Sequence, residues 1–244
     1  MIQKVMGLFG LRIVRVSRYG QADDILTRMW RKGFQPSSII DVGASDGSWT
    51  VSVMPLFSRA HYLLIEPREE EHSSLESLAL SHPNIQYSHT LVSDKVEKLH
   101  FNQHGHQSSI FGNVDGQRFG DSLELQSTTL DNLIENMHIP IPQFIKLDVQ
   151  GAELKVLTGA AGIMKSGELE CVLAEVSFTP FQQGIPLAHE LVVFMAQRKF
   201  IIYDVYDLVR RTSDGTLLQC MIIFLHTDSA LLKNSDWGGN VPWS

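Results

Sequence analysis

Short apolar runs alternate with longer mixed stretches along most of the chain. Runs at 39–42, 62–65, 84–88, 144–149 and 171–176 are bounded by turn residues and predict buried strands. The stretches 23–32, 49–57, 69–81, 129–136, 154–164 and 187–198 space their apolar residues at helical intervals. In the third of these Leu75, Leu78 and Leu80 are expected to face inward. Residues 90–94 read as a loop or short strand. Two final strands, at 200–204 and 217–225, flank a polar turn at Ser213-Asp-Gly215. Strands separated by helices predict an α/β fold with a doubly wound, Rossmann-like parallel sheet. The last pair is close enough for a hairpin, so one strand of the seven should run antiparallel. The expected layout is an N-terminal helical segment at 1–35, the main domain at 36–226 and a polar tail at 227–244, with Trp237 and Trp243 as packing anchors.

Residues 95–127 break this rhythm. They hold His100, His104 and His106 and several glycines, with Phe101, Ile110 and Phe111 between them. The pattern predicts an irregular or hairpin excursion over the carboxyl edge of the sheet, and ordered loops of this length are usually functional.

Composition narrows the class. Apolar residues at 43% and charged residues at 19% suit an ordinary soluble domain, and a net charge of −7 argues against general nucleic-acid binding. The two cysteines, Cys171 and Cys220, sit in apolar runs and form no metal or disulfide motif, so buried thiols and a cytoplasmic setting are expected. No run approaches the ~20 apolar residues of a membrane span. The first 20 residues carry Lys4, Arg12, Arg15 and Arg18 and no acid, so the remainder, net −7 less those four, stands at −11. Ile2, Met6, Phe9, Ile13 and Val16 form a stripe clear of the cations. The apolar stretch 5–11 is short for a signal peptide, and no small-residue cleavage site follows it. Two readings stand: a helix packed on its own domain, or peripheral contact with the inner face of an anionic membrane through residues 1–18.

Two segments carry chemistry. In the first, Ile39-Ile-Asp41-Val-Gly43-Ala44-Ser45-Asp46-Gly47, an apolar strand ends in an acid and a glycine turn follows. The next apolar run closes on Glu66-Pro67. Strand, glycine turn, helix and a second strand with a terminal acid make a nucleotide-type cofactor site. Asp41 would repel a pyrophosphate at the turn, where a dinucleotide brings one. It suits a cationic, phosphate-free nucleoside, and S-adenosylmethionine has that character. Glu66 stands where a carboxylate can accept both ribose hydroxyls.

The second segment is Ile145-Lys-Leu-Asp148-Val-Gln-Gly-Ala-Glu153, followed by Leu157-Thr-Gly-Ala160. Asp41, Glu66, Asp148 and Glu175 all fall at strand ends, which places four carboxylates around one crevice. Together with Asp41-Val-Gly-Ala, Glu66-Pro67, Leu91-Val-Ser-Asp94, Glu175-Val-Ser-Phe178, Lys199-Phe200 and Tyr203-Asp204, this segment resembles the FkbM family of S-adenosylmethionine-dependent methyltransferases over roughly residues 36–208. The first motif departs mildly, reading Ala-Ser-Asp-Gly where the family more often has Ala-Asn-x-Gly. The resemblance implies a class I methyltransferase sheet and O-methylation of hydroxyls on sugars, glycans or related metabolites. It also implies that Asp41, Gly43 and Ser45 line the methionine end of the cofactor, with Ala44, Gly47 and Pro67 also among the cofactor-binding residues. Glu66 would serve the ribose and Ser93 and Asp94 the adenine, with Asp148 facing the methionine or the acceptor.

An alcohol acceptor must lose a proton, and a positioned base contributes about 10²–10⁴-fold. His104 and His106, in the excursion, are candidates, as are Asp148, Glu153 and Glu175. Three carboxylates around one site would also suit a divalent cation such as magnesium or calcium. The histidines lack zinc-ligand spacing. An NAD-dependent oxidoreductase, and a non-catalytic module that binds the cofactor without turnover, are the competing readings. Neither the acceptor nor the oligomeric state is legible.

Overall fold

The structure is a computed structural model that describes residues 22–103, 105, 108–112 and 121–233. Its elements are α1 (Ala22–Arg31), β1 (Ser38–Val42), α2 (Ser48–Val53), β2 (His61–Ile65), α3 (His72–Ser81), β3 (Ile85–Ser88) and β4 (Leu91–Val92). There follow β5 (Lys98–Gln103), β6 (Asp121–Thr128), α4 (Leu130–Asn136), β7 (Phe144–Leu147), α5 (Glu153–Thr158) and α6 (Ala161–Lys165). The chain closes with β8 (Cys171–Ser177), α7 (Ala188–Ala196), β9 (Phe200–Arg210) and β10 (Leu217–His226).

Seven strands form one sheet in the order β3-β2-β1-β7-β8-β10-β9. The pairs among β3, β2, β1, β7 and β8 are parallel, and β10 is antiparallel to both its neighbours. The expected doubly wound sheet with one reversed strand is therefore present. The order reverses at β1, and β1 and β7 lie side by side there. Ligands of open α/β sheets bind outside the carboxyl ends of strands at such a point.

Alternation along the strands divides the core. Ile40, Val42, Leu63, Ile145, Leu147, Val172 and Ala174 pack with α4 to α7 on one face. Ile39, Tyr62, Leu64, Phe144, Cys171 and Leu173 pack with α1 to α3 on the other. Both cysteines are free and buried. In α1, Ile25, Leu26 and Met29 are fully buried, so this helix belongs to the core of the sheet domain. Phe34, Phe57, Trp49 and Phe144 meet edge-to-face with ring centroids 5.7–6.4 Å apart, beneath the glycine turn.

Several elements depart from expectation. Leu75 is buried but Leu80 is 83% exposed. Five helical positions separate the two, which turns Leu80 well away from the core face. The helix expected at 154–164 is broken into α5 and α6 at Gly159-Ala160. A side chain on Gly159 would fall 2.2 Å from the Ser93 carbonyl, so the break lets the β4 loop pass close by. β9 runs to Arg210 rather than ending near 204. β5 and β6, an antiparallel pair in the excursion, join β4 just before it in a second sheet of order β4-β6-β5. His104, His106, Trp237 and Trp243 lie outside the described residues, as does the amphipathic segment 1–20.

Candidate active site

β1 and β7 pair in parallel with Asp41 opposite Lys146. Both side chains are buried on the α1–α3 face. The Lys146 ammonium lies 3.0 Å from Asp41 Oδ1 and 3.6 Å from Asp148 Oδ2, and donates to the Gly43 carbonyl at 3.1 Å. Its Nζ stands 5.7 Å from the centre of the Trp49 ring. Thr50 Oγ1 donates to Asp41 Oδ2 at 2.8 Å. Burial pushes the Asp41 carboxyl up, against the pull of Lys146. Burial also works against charge on Lys146, but Asp41 and Asp148 outweigh it and raise the ammonium, which is therefore held protonated.

Gly43 adopts φ 75°, and a Cβ there would lie 2.0 Å from the Asp148 carbonyl. The glycine is thus required by the close approach of the β1 and β7 ends. Gly47, at φ 83°, precedes α2, and Leu78 fills the space a Cβ would need. Ser45 also has positive φ, at 51°, and its N–H donates to Glu66 Oε2 at 2.9 Å. This bond fastens the glycine turn to the end of β2.

Glu66 is buried, and Arg68 embraces it. The Arg68 backbone N–H and Nε both donate to Oε1 at 3.0 Å, and Nη2 reaches Oε2 at 3.3 Å. Glu71 lies 3.4 Å from Arg68 Nη1. A carboxylate offers about four acceptor positions, and with the Ser45 N–H the three Arg68 donors occupy them, so a ribose hydroxyl would take the place of the longest contact, that of Nη2 at 3.3 Å.

After β7 the chain turns through Gln150 and Gly151, both in the left-handed region at φ 52° and 99°. Gln150 Nε2 donates to Asp148 Oδ1 at 3.0 Å and to Glu175 Oε2 at 3.1 Å. Gln219 Nε2, on β10, donates to the same Glu175 oxygen at 2.8 Å. Burial raises the Glu175 carboxyl, and the charges of Asp148 and Glu153 raise it further, to about 8. Glu153, at the start of α5, accepts the N–H groups of Val149 and Gly151 at 3.1 and 3.2 Å. Burial still pushes it up to about 7.

These strand ends surround a cavity of about 190 Å³. Gly43, Ser45, Glu66, Pro67 and Arg68 form one wall, Leu91 and Val92 another, and Asp148, Gln150 and Glu175 the far end. Phe101, Gly105, Ser108 and Ile110 of the excursion also line it. Ser109 ties that loop down, donating from Oγ to the Gln150 carbonyl at 2.8 Å. The excursion therefore covers the carboxyl edge, as its apolar residues predicted.

Of the expected site residues, Gly43, Ser45, Glu66, Pro67, Asp148 and Glu175 come together on this cavity. Asp41 is completely buried and off the cavity wall, because Lys146 and Thr50 take its carboxylate. Ala44 and Gly47, in the turn itself, do not line the cavity. Ser93 is fully buried and donates to Asp94, which is paired with Lys155 at 3.1 Å. The preceding Leu91 and Val92 line the cavity in their place. Sequence reasoning missed Lys146, Arg68, Gln150 and Gln219. The first had a readable signal: a lysine inside an apolar central strand needs a buried partner, and two acids flank it at the strand ends. Among the described residues no group of three or more histidine, cysteine, aspartate or glutamate side chains is arranged to hold a metal ion. Lys146 lies between Asp41 and Asp148, and Gln150 between Asp148 and Glu175, where a shared cation would have to sit.

The cavity carries the carboxylates of Glu66 and Asp148 against one guanidinium that is already paired, which fits a cationic nucleoside better than a pyrophosphate. Comparison with known proteins agrees in kind. The methyltransferase FkbM domain model matches residues 41–202. No curated protein matches the chain in sequence. Among solved structures, precorrin-6y C5,15-methyltransferase from Geobacter metallireducens GS-15 shares 8% identity at a TM-score of 0.48, with 87% of this chain and 92% of that one covered. The 1,6-didemethyltoxoflavin-N1-methyltransferase of Burkholderia thailandensis shares 14% at 0.47, with 85% and 77% covered. The CMeT domain of citrinin polyketide synthase shares 12% at 0.47, covering 85% and 52%. Strand order and register, not these similarities, define the fold. With two thirds of its length matched to the family model, the chain belongs to the FkbM methyltransferase family and is an S-adenosylmethionine-dependent methyltransferase.

Proposed function

We propose that the chain methylates a hydroxyl group of a sugar, glycan or related metabolite, with Glu175 as the general base. The observation that carries this reading is the Glu175 carboxyl on the cavity wall, raised to about 8 by burial and by Asp148 and Glu153. A base is most effective when its pKa lies near the working pH. Gln150 and Gln219 both donate to Oε2, which leaves Oε1 for the acceptor's hydroxyl proton.

S-adenosylmethionine supplies, when bound, a methyl on a sulfonium with a good leaving group. Glu66 is the residue to accept its ribose hydroxyls, with Arg68 and the Ser45 N–H fixing that carboxylate. Gly43 and Ser45 stand at the methionine end. Asp41 acts from behind the wall, through Lys146, which holds the Gly43 carbonyl and Asp148 in place. Leu91 and Val92 take the adenine side that Ser93 and Asp94 were expected to fill. Positioning of the acceptor oxygen supplies much of the acceleration in such a displacement. Gln150 and the loop anchored by Ser109 are placed to do this. His106 stays an alternative base and a divalent cation has no role in the scheme. The two free, buried thiols support the reading of a reducing, cytoplasmic setting. Peripheral contact with an anionic membrane through residues 1–18 is part of the reading, on the strength of four cations without an acid.

The test is transfer of a labelled methyl from S-adenosylmethionine into fractionated cell extract, with mass analysis of the product. An alkali-stable methyl ether is expected. Label on nitrogen or carbon would overturn the hydroxyl reading.

A further inference from the structure

The excursion meets the Glu175 network at Ser109. The backbone of Asn102, on β5, pairs both ways with that of Ser109, at 2.8 and 3.1 Å. The Asn102 amide also donates to the Ser109 and Phe111 carbonyls at 3.2 and 3.0 Å. Ser109 is thus fixed by its backbone, and it is 1% exposed. Ser108 and Ile110 line the cavity on either side, while Ser109 between them turns away from it. Its hydroxyl accepts the Phe111 N–H at 3.2 Å and spends its one proton on the Gln150 carbonyl at 2.8 Å. The Phe111 ring lies against the same turn, 3.5 Å from where a Cβ on Gly151 would stand.

The carbonyl that Ser109 holds belongs to a constrained residue. Gln150 has φ 52°, and a residue with a Cβ stays in the left-handed region only while its surroundings hold it there. Relaxation of that backbone would swing the side chain. The side chain is a fork: one amide nitrogen donates to Asp148 Oδ1 at 3.0 Å and to Glu175 Oε2 at 3.1 Å. Both amide hydrogens are therefore committed. The charged and titratable groups that act on Glu175 among the described residues are Asp148 and Lys146 on β7, Glu153 on α5 and Cys220 on β10. None of these four belongs to the excursion.

We propose that Ser109 is a positioning residue for methyl transfer: by holding the Gln150 carbonyl it keeps the Gln150 amide on Glu175 and Asp148, so the base is set only while the excursion is seated on the turn after β7. This rests on the reading of Glu175 as general base and adds to it a residue that acts through Gln150. Loss of the Gln150 donor would favour the neutral form of Glu175, because a hydrogen bond to a carboxylate favours its charged form.

The test is a double-mutant cycle on the titration of Glu175, followed by carbon NMR of full-length protein labelled at its glutamate carboxyls. The Glu175 signal is the one that Glu175→Gln removes, and in the parent it should inflect near 8. Ser109→Ala and Gln150→Ala should each move it up by about half a pH unit, a threefold change in proton affinity. The double variant should move it no further than Gln150→Ala alone. Ser109→Thr, which keeps the hydroxyl, should restore the parent value. At pH 7 labelled-methyl transfer from S-adenosylmethionine into cell extract should fall about threefold in Ser109→Ala, in step with the charged fraction of the base. S-adenosylhomocysteine calorimetry and melting check each fold, and Ser109→Cys, a weaker donor, carries the same expectation should the alanine variant not fold. An unshifted signal or undiminished transfer in Ser109→Ala overturns the proposal and leaves the base reading standing. Additive shifts in the double variant overturn the route through Gln150. A parent with no glutamate signal near 8 overturns the base reading and the proposal with it.

Discussion

Replacing Lys146 by Met removes the only cation facing Asp41 among the described contacts and leaves the carboxylate completely buried. Methionine keeps the length and apolar stem of lysine, so packing against Trp49 is largely retained. Removing one partner of a buried ion pair costs about 3–5 kcal/mol, because the remaining charge is uncompensated. For a chain of this size about 1 kcal/mol moves Tm by about 2–4 °C, so the midpoint should fall by roughly 6–20 °C. Adding Asp41→Asn removes the orphaned charge and should recover at least half of the loss. The half-exposed pair Asp94–Lys155 is the control, and Lys155→Met should cost about 1 kcal/mol or less. Thermal melting and urea unfolding at neutral pH, followed by circular dichroism, measure all four proteins. A Lys146→Met protein within about 1 kcal/mol of the parent, or a double variant no better than the single, would refute the account of the strand-end ion pair.

Glu153→Gln keeps an acceptor for the Val149 and Gly151 N–H groups and removes a buried charge. The folded carboxyl sits at about 7 against 4.5, so its burden on stability is absent below pH 4.5, grows as pH rises and is complete above 7. At about 1.4 kcal/mol per pH unit the variant should gain about 3 kcal/mol at pH 8.5 and nothing at pH 4, read from urea midpoints; an equal effect at both would contradict this. Glu175→Gln should lower kcat by about 10²–10⁴-fold while S-adenosylhomocysteine binding is unchanged. The parent's kcat/KM should rise with pH to an inflection near 8 that the variant lacks. Gly43→Ala should melt lower and bind the cofactor product more weakly, since its methyl would overlap the Asp148 carbonyl; unaltered melting would show that the β1 and β7 ends can part without cost.

Much of the sheet was legible because each strand is an apolar run between turn residues, and the lone antiparallel strand followed from a connection too short for a crossover. The break at Gly159 was not, since nothing local distinguishes a helix interrupted by a neighbouring carbonyl from a continuous one. β9 was read short because Asp204 and Asp207 interrupt its apolar pattern, yet an edge strand tolerates charge on its open side. At the site, Glu66, Asp148 and Glu175 were visible as acids at strand ends. Asp41 was found but its partner was not: alternation places it on the packed face of β1, beside Lys146, and that juxtaposition depends on the β1–β7 pairing. The same holds for Gln219, which reaches Glu175 from a strand 44 positions away in sequence.

The central claim is that the cavity at the carboxyl edge, walled by Glu66, binds the methyl-donor nucleoside. Calorimetric titration with S-adenosylhomocysteine tests it most directly, on the parent and on Glu66→Gln with its fold checked by melting. The account predicts micromolar binding by the parent and a loss of about 10–100-fold in the variant, the worth of a hydrogen bond to a charged acceptor. No heat from the parent, or equal affinity in the two proteins, would contradict it.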